Sequence, residues 1–240
     1  MMSQESIQAA PASPPAGADA SRSLAYAAFA TAFAYPDREG LEAIRSGVLA
    51  DALRQLLGLL VPRLEEDTDW AALRDAGPDD DALQVDFTRL FDAGPDGPDC
   101  PMNGSHYGGG ETEAKEELVR FYNFFGLSLA DGQQEEPDHL ITELEFLHYL
   151  SYQEAQLIAA GESADGLLRA QRDFIARHPG AWVPAMRQKL VKKNAMRFFP
   201  ALTELLARFL RAEETRLTER IGQSAEQPEL NSPPQGGTLQ

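Results

Sequence analysis

Residues 135–150 read EEPDHLITELEFLHYL and bring together side chains capable of chemistry. Asp138 and His139 are adjacent, and Glu143 follows His139 by four residues, which on a helix puts an imidazole and a carboxylate on one face. That trio could serve as an acid–base dyad, as half of a metal site, or as an edge that grips another protein. A second group lies in residues 93–110, AGPDGPDCPMNGSHYGGG, where Cys100, Ser105, His106 and Tyr107 sit among six glycines and three prolines. Ser105 beside His106 lacks the G-x-S-x-G frame that strains a nucleophilic serine into place. Cys100 with a distant His139 carries no supporting motif. Metal ligation finds no HExxH, CxxC or paired-histidine pattern, in a chain with four histidines. Glycines run into a helix start at Glu111, a sound arrangement for an anion, but Glu111 and Glu113 occupy that end and no GK[ST] follows. One enzyme reading survives, a small metal- or nucleotide-dependent hydrolase using His106, His139 and Glu143.

A purely structural reading of the same residues also exists. Pro137 suits the first turn of a helix, where its missing N–H costs nothing. Asp138 favours the positive end of the helix dipole, and His139 can pair with Glu143. That leaves the choice of a histidine at this position unexplained.

The elements that must position these residues read as helices almost throughout. Leu24, Ala28, Ala32 and Tyr35 form a stripe ending at Pro36. Leu41, Ile44, Val48, Leu49, Leu53, Leu56, Leu57 and Leu60 form a second stripe that predicts one helix of about twenty residues. DDDALQVDFTRLFDA is acid-first, as is ETEAKEELVRFYNFFG, which closes at Gly126. A fifth helix begins in the EEPDH stretch and runs to about Ala160. SADGLLRAQRDFIARH, AWVPAMRQKLVKKNA and MRFFPALTELLARFLRAEETRLTER supply the rest, with Pro200 expected to cap or kink the last. No period-2 run appears. The expectation is a single all-α domain of about seven to nine helices over residues 21–223, interrupted by the long Gly/Pro loop at 93–110. Residues 1–20 and 224–240, poor in large hydrophobes, are expected to be disordered tails. Connections as long as 93–110 are uncommon inside a compact domain and are functional or disordered; Met102, His106 and Tyr107 favour function.

Charge narrows the partner. The 240 residues carry a formal net charge of −17, which disfavours nucleic acid and anionic membrane surfaces and attracts basic segments. Residues 63–99 hold twelve acidic against three basic residues, and residues 167–220 hold twelve basic against five acidic. The single cysteine, Cys100, excludes an intramolecular disulfide and fits a reducing compartment. LAYAAFATAFAY (24–35) is too short to span a bilayer. It is also poorly preceded for a signal peptide, so a cytoplasmic protein with a buried first helix is expected.

Several blocks together resemble a known family. EEPDHLITELEFLHYLSYQEA resembles the E-P-x-D-H-x3-E-L-x-F signature of the TorD/DmsD/NarJ chaperones, the redox-enzyme maturation proteins. DFTRLFDAGPDGPDCPMNGSHYGG resembles their helix ending in L-F followed by a Gly/Pro loop with an aromatic near its end. FIARHPGAWVPAMRQKLVKKNAMRFFPALTELLARFL resembles their F-x3-H-x3-W-x-P block, and LAYAAFATAFAYP their first helix. The blocks cover about residues 21–215 in order. Proline abuts the aspartate directly here, and no tryptophan stands in the NGSHY segment. The C-P-x-N-G-x-H-Y loop resembles the branch serving type II dimethyl-sulfoxide-reductase-family enzymes, which act on ethylbenzene, dimethyl sulfide, selenate or chlorine oxyanions.

The resemblance implies a non-catalytic, all-helical cytoplasmic chaperone. Such a protein binds the apo catalytic subunit of a molybdenum oxidoreductase through its twin-arginine signal peptide, its body or both, and delays export until the cofactor is inserted. It implies no cofactor of the chaperone's own. Carried over by motif, the client-binding residues are Leu90, Phe91, Gly104, Ser105, Tyr107, Pro137, Asp138 and His139, with His106 and Glu143 in support. Asp138 is then expected to accept hydrogen bonds from a client arginine, and Leu90, Phe91 and Tyr107 to line an apolar groove. The basic residues 187–197 leave open a transient contact with the phosphorylated molybdenum cofactor.

Overall fold

The computed structural model describes residues 18–79, 81–94, 97–108, 111–127 and 136–226. Among these described residues ten α-helical segments succeed one another: α1 (Ala18–Phe33), α2 (Arg38–Ser46), α3 (Val48–Leu60), α4 (Pro62–Glu66), α5 (Ala82–Phe87), α6 (Glu111–Phe124), α7 (Leu140–Ala159), α8 (Asp165–Arg177), α9 (Pro179–Lys192) and α10 (Phe198–Glu226). Two of them, α4 and α5, are single short turns. Among the described residues no β-strand forms, and the all-α expectation holds. The expected tails fall mostly on residues 1–17 and 227–240, outside the described residues, while α1 and α10 reach to Ala18 and Glu226.

Residues 24–33 lie within α1 and pack into the core, although the helix stops before Tyr35 and the expected stripe residues Leu24 and Tyr35 are half-exposed. Tyr26, Phe29 and Phe33 of α1 are fully enclosed, and no helix among the described residues is long and apolar enough to cross a membrane. The Tyr26 and Phe29 rings lie 5.2 and 5.6 Å from Phe209 of α10. α1 packs along α7 and α3, while α10 packs on α8 and α9. Its buried face carries Leu202, Leu205, Leu206, Phe209, Leu210 and Leu217. Beneath this apolar layer lies an ionic cluster joining four helices. Glu154 of α7 accepts from Arg216 and Arg220 of α10 and from Gln171 of α8. Glu213 pairs with Arg22 of α1 and with Arg216.

The leucine stripe at 41–60 is not one helix. It breaks at Gly47, whose φ of 84° ends α2 by donating its N–H to the Ile44 carbonyl and starts α3. A Cβ there would meet only the mobile end of the Arg74 side chain, so it is the positive φ that calls for glycine. Periodicity alone could not reveal this, because the apolar phase is nearly preserved across the break. Pro200 sits in the first turn of α10, where it is tolerated. Pro184 is accommodated inside α9.

The stretch DFTRLFDA is helical in two ways. After α5 the backbone widens into a π-helical turn, Thr88–Asp92, with the Ala93 N–H donating to the Thr88 carbonyl at 2.8 Å. Such turns displace the bonding pattern and free carbonyls for other partners. Here the Arg89 and Leu90 carbonyls accept from the Asp99 and Cys100 N–H groups, at 3.2 and 2.6 Å. The returning loop is therefore pinned to the turn that precedes it.

Candidate functional site

The two chemical stretches singled out in the sequence meet. Asn103 and His139 form an isolated antiparallel bridge. The Gly104 N–H donates to the Asp138 carbonyl at 2.9 Å, and the Leu140 N–H donates to the Met102 carbonyl at 2.7 Å. His139 is the N-cap of α7, extended at φ −75° and ψ 136°, with its Nδ1 facing the Ile141 N–H at 3.4 Å. The helix begins at Leu140, directly after a backbone bridged sideways to the loop at Asp138 and His139.

Asp138 organises this junction from inside. Its side chain is buried. Oδ2 accepts the Ser105 N–H at 2.9 Å and Oδ1 accepts the Asn103 amide at 3.3 Å. Lys115 of α6 stands 4.0 Å from Oδ1 and 2.5 Å from Glu136. Burial by itself would push the carboxyl up; hydrogen bonds from Ser105 and Asn103 and the Lys115 charge more than offset it, and the net shift is downward. The expected arginine acceptor is thus already committed to loop donors: Asp138 is a clamp in this structure rather than an open anionic contact. The sequence could not show this, because the donors come from a backbone amide and an asparagine 33 and 35 residues away.

Leu90 and Phe91 are also inward-facing. Leu90 is fully buried and Phe91 is 7% exposed, with the Phe91 ring 5.0 Å from Phe87 and 5.1 Å from Phe199. They form the floor beneath the loop with Cys100 and Met102, both buried. Burial raises the Cys100 thiol to about 11, so it is an inert core group at neutral pH.

Tyr107 closes the loop. Its hydroxyl donates to the Pro101 carbonyl at 2.8 Å. Its ring stacks on Trp182 of α9 at 5.4 Å and 14°, and Lys189 lies over the ring at 5.5 Å. The Trp182 indole N–H in turn donates to Glu143 Oε2 at 3.1 Å. Glu143 is wholly buried, which pushes its carboxyl well above the usual carboxylate range against the pull of the indole bond; the Asp138 charge adds to the rise. Glu143 therefore faces Trp182. A Cβ at Gly104 would lie 2.9 Å from Trp182 Nε1, so this loop approaches the indole too closely for any side chain. Pro137 is held from the other side by the Tyr122 hydroxyl, which donates to its carbonyl at 2.8 Å.

Sequence reasoning missed Trp182, Asn103, Lys115 and Tyr122 as members of the site. A signal existed for the first: Phe174, His178 and Trp182 recur every four residues, and in the structure all three are buried. What remains accessible at the junction is His106, exposed, with Ser105, Tyr107, Pro137 and His139 partly so. Among the described residues no group of His, Cys, Asp or Glu side chains is arranged to hold a metal ion.

A family model described as Nitrate reductase delta subunit matches residues 47–188, across α3, the loop, the Asp138 junction and Trp182. The chain belongs to the nitrate reductase delta subunit family. It is thus a TorD/NarJ-type redox-enzyme maturation protein, as the motif resemblance indicated. It is 35% identical to the chlorate reductase assembly chaperone protein of Ideonella dechloratans over 75% of this chain and 83% of that protein. It is 31% identical to the perchlorate reductase assembly chaperone protein of Dechloromonas aromatica over 80% and 87%. The selenate reductase assembly chaperone protein of Thauera selenatis is 42% identical over 46% of this chain and 56% of its own. A crystal structure of a putative redox enzyme maturation protein from Archaeoglobus fulgidus aligns with 90% of this chain and 99% of its own, at 21% identity and a TM-score of 0.41. Relatives in this family are named for assembly rather than catalysis, which sets aside the hydrolase built on His106, His139 and Glu143.

Proposed function

We propose that this protein is a system-specific assembly chaperone for the catalytic subunit of a molybdenum oxidoreductase. The client belongs to the type II dimethyl-sulfoxide-reductase branch. The protein acts in the cytoplasm, binds the apo subunit through its twin-arginine signal peptide and its body, and releases it for export once the cofactor is in place. The observation that carries this reading is that relatives matching three quarters or more of the chain are each named assembly chaperones for chlorine-oxyanion reductases.

The junction supports a binding role. Its surface is a rigid ledge made from Ser105, His106, Tyr107, Pro137 and His139, held from beneath by Asp138, Glu143 and Trp182. A client segment laid on this ledge would meet the His106 and His139 side chains and the accessible part of Tyr107, while Leu90 and Phe91 support it from the core.

The test is deletion of the chaperone gene in its native host. Loss of oxidoreductase activity, with the catalytic subunit present but lacking cofactor, is expected; full maturation in the deletion strain would refute the assignment. Pairing His139→Ala with Tyr107→Ala on the ledge should weaken client co-purification while helix content stays unchanged.

A further inference from the structure

The segment Gly97–Gly108 is built unlike the helices around it. Its middle, Cys100, Pro101 and Met102, is buried, and Cys100 and Met102 belong to the same apolar cluster as Leu90 and Phe91. Its two ends are exposed glycines at positive φ, 93° at Gly97 and 141° at Gly108. A Cβ at either glycine would meet nothing within 4 Å, so both ends have room to turn while the centre is held. Pivots of a moving element need that combination, residues that absorb a change of φ and ψ without a clash.

The bonds that hold the segment can all be released without melting a helix. Towards the π-helical turn, the Asp99 and Cys100 N–H groups donate to the Arg89 and Leu90 carbonyls. Towards α7, the Gly104 N–H donates to the Asp138 carbonyl and the Met102 carbonyl accepts from Leu140. The Asp138 carboxylate grips the Ser105 N–H and the Asn103 amide, and Tyr107 stacks on Trp182. None of these belongs to the internal ladder of a helix. Lifting the segment would therefore leave α5, α7 and α9 intact and uncover Leu90 and Phe91, which are buried while it is down.

We propose that Gly97–Gly108 is a hinged strap that fills the floor over Leu90 and Phe91 with its own Cys100 and Met102, and that a client reaches this floor only by displacing it. Asp138 is the catch that keeps the strap down. The strap is thus an occupant carried by the chain itself, which hides an apolar surface between clients. This accounts for two findings together: Leu90 and Phe91 face inward, and the Asp138 carboxylate is committed to donors of the loop. The role of the client rests on the chaperone reading above; the opening of the strap does not.

Cys100, the single thiol of the chain, lies under the strap and reports its opening. Labelling of the full chain with an aromatic disulfide reagent should proceed at a rate nearly independent of urea below the unfolding transition, as for a local opening. Asp138→Asn should label roughly 30-fold faster. Leu217→Ala, a buried site on α10, should lower the urea midpoint and leave the labelling rate unchanged. Labelling that tracks global unfolding, or an equal acceleration by Leu217→Ala, would overturn the strap. Displacement is tested by a lock. Asn103 and His139 form a bridge whose flanking bonds make them a non-hydrogen-bonded pair, with Cα atoms about 4.5 Å apart, inside the disulfide range. In Cys100→Ser, the pair Asn103→Cys with His139→Cys should bind a synthetic twin-arginine leader peptide when reduced and lose that binding when oxidised. Equal binding in both states would overturn displacement. Loss in both states would place the bridge in the contact itself and overturn it too. Failure of the wild type to bind the peptide would instead refute the peptide part of the chaperone reading, whatever the labelling rates show.

Discussion

Replacing Asp138 by Asn keeps the shape of the side chain and removes its charge, so it isolates what the clamp contributes. Asp138 accepts two hydrogen bonds, from the Ser105 N–H and the Asn103 amide, with Lys115 4.0 Å away. Asn offers one acceptor and turns an amide donor toward the other partner, so one of these contacts is lost or the Asn103 amide must flip. A hydrogen bond to a charged group contributes about 1.5–3 kcal/mol, and a partly exposed lysine at that distance adds less than about 1 kcal/mol. The net loss should be about 2 kcal/mol. It should be felt locally, because the loop can release without unfolding the helices.

Hydrogen exchange reads this directly. At 1.4 kcal/mol per factor of ten, the amides of Gly104, Ser105 and Leu140 should exchange about 30-fold faster in Asp138→Asn, while the amides of α1 and α10 keep their wild-type rates. The sign with pH follows from the downward shift of this carboxyl. Its stabilisation is present above the unfolded carboxylate value and is lost as pH falls through the lower folded value. The gap between variant and wild type should therefore be constant from pH 7 to about pH 5 and close only in acid. Equal exchange rates in the two proteins at pH 7, or a gap independent of pH in acid, would refute the clamp.

Other substitutions test the surrounding contacts. Gly104→Ala should push the Trp182 indole off Glu143, costing about 1–3 kcal/mol, visible as a shift in tryptophan emission and a lower urea midpoint; unchanged emission would argue against the close approach. Glu143 is shifted upward in the folded state, so the fold binds its proton more tightly than the unfolded chain. Stability from this group is full below the unfolded carboxylate value and falls as pH rises toward the folded one. Glu143→Gln should flatten that decline in urea titrations across the range, and an unchanged slope would contradict it. Glu154→Ala should destabilise by about 1–3 kcal/mol, because it removes the buried acceptor shared by Arg216, Arg220 and Gln171 while Arg216 keeps Glu213; a loss below about 0.5 kcal/mol in thermal unfolding would show that the cluster is not coupled.

The fold class was open to reading because its signal is local: stripes such as Leu53 and Leu57, and stops such as Pro36 and Gly126, act within one helix. The break at Gly47 was hidden, since a left-handed glycine can change direction while the hydrophobic phase continues. The importance of the EEPDH stretch and the Gly/Pro loop was also legible, in their unusual composition. Their meeting was not, because it is made of backbone bonds such as Leu140 to Met102, which leave no mark on side-chain identity. Asp138 shows the limit most clearly. Its charge suggested an outward-facing contact, and only the position of the Ser105 amide shows that the charge is used inside.

The proposed function turns on capture of a client before export. Its most direct test is a calorimetric titration of this protein with a synthetic twin-arginine leader peptide of the proposed client class. A saturable heat that weakens as salt is raised, in keeping with an acidic chaperone and a basic leader, is the predicted result. The absence of any binding heat, with the leader in excess and at low ionic strength, would contradict it.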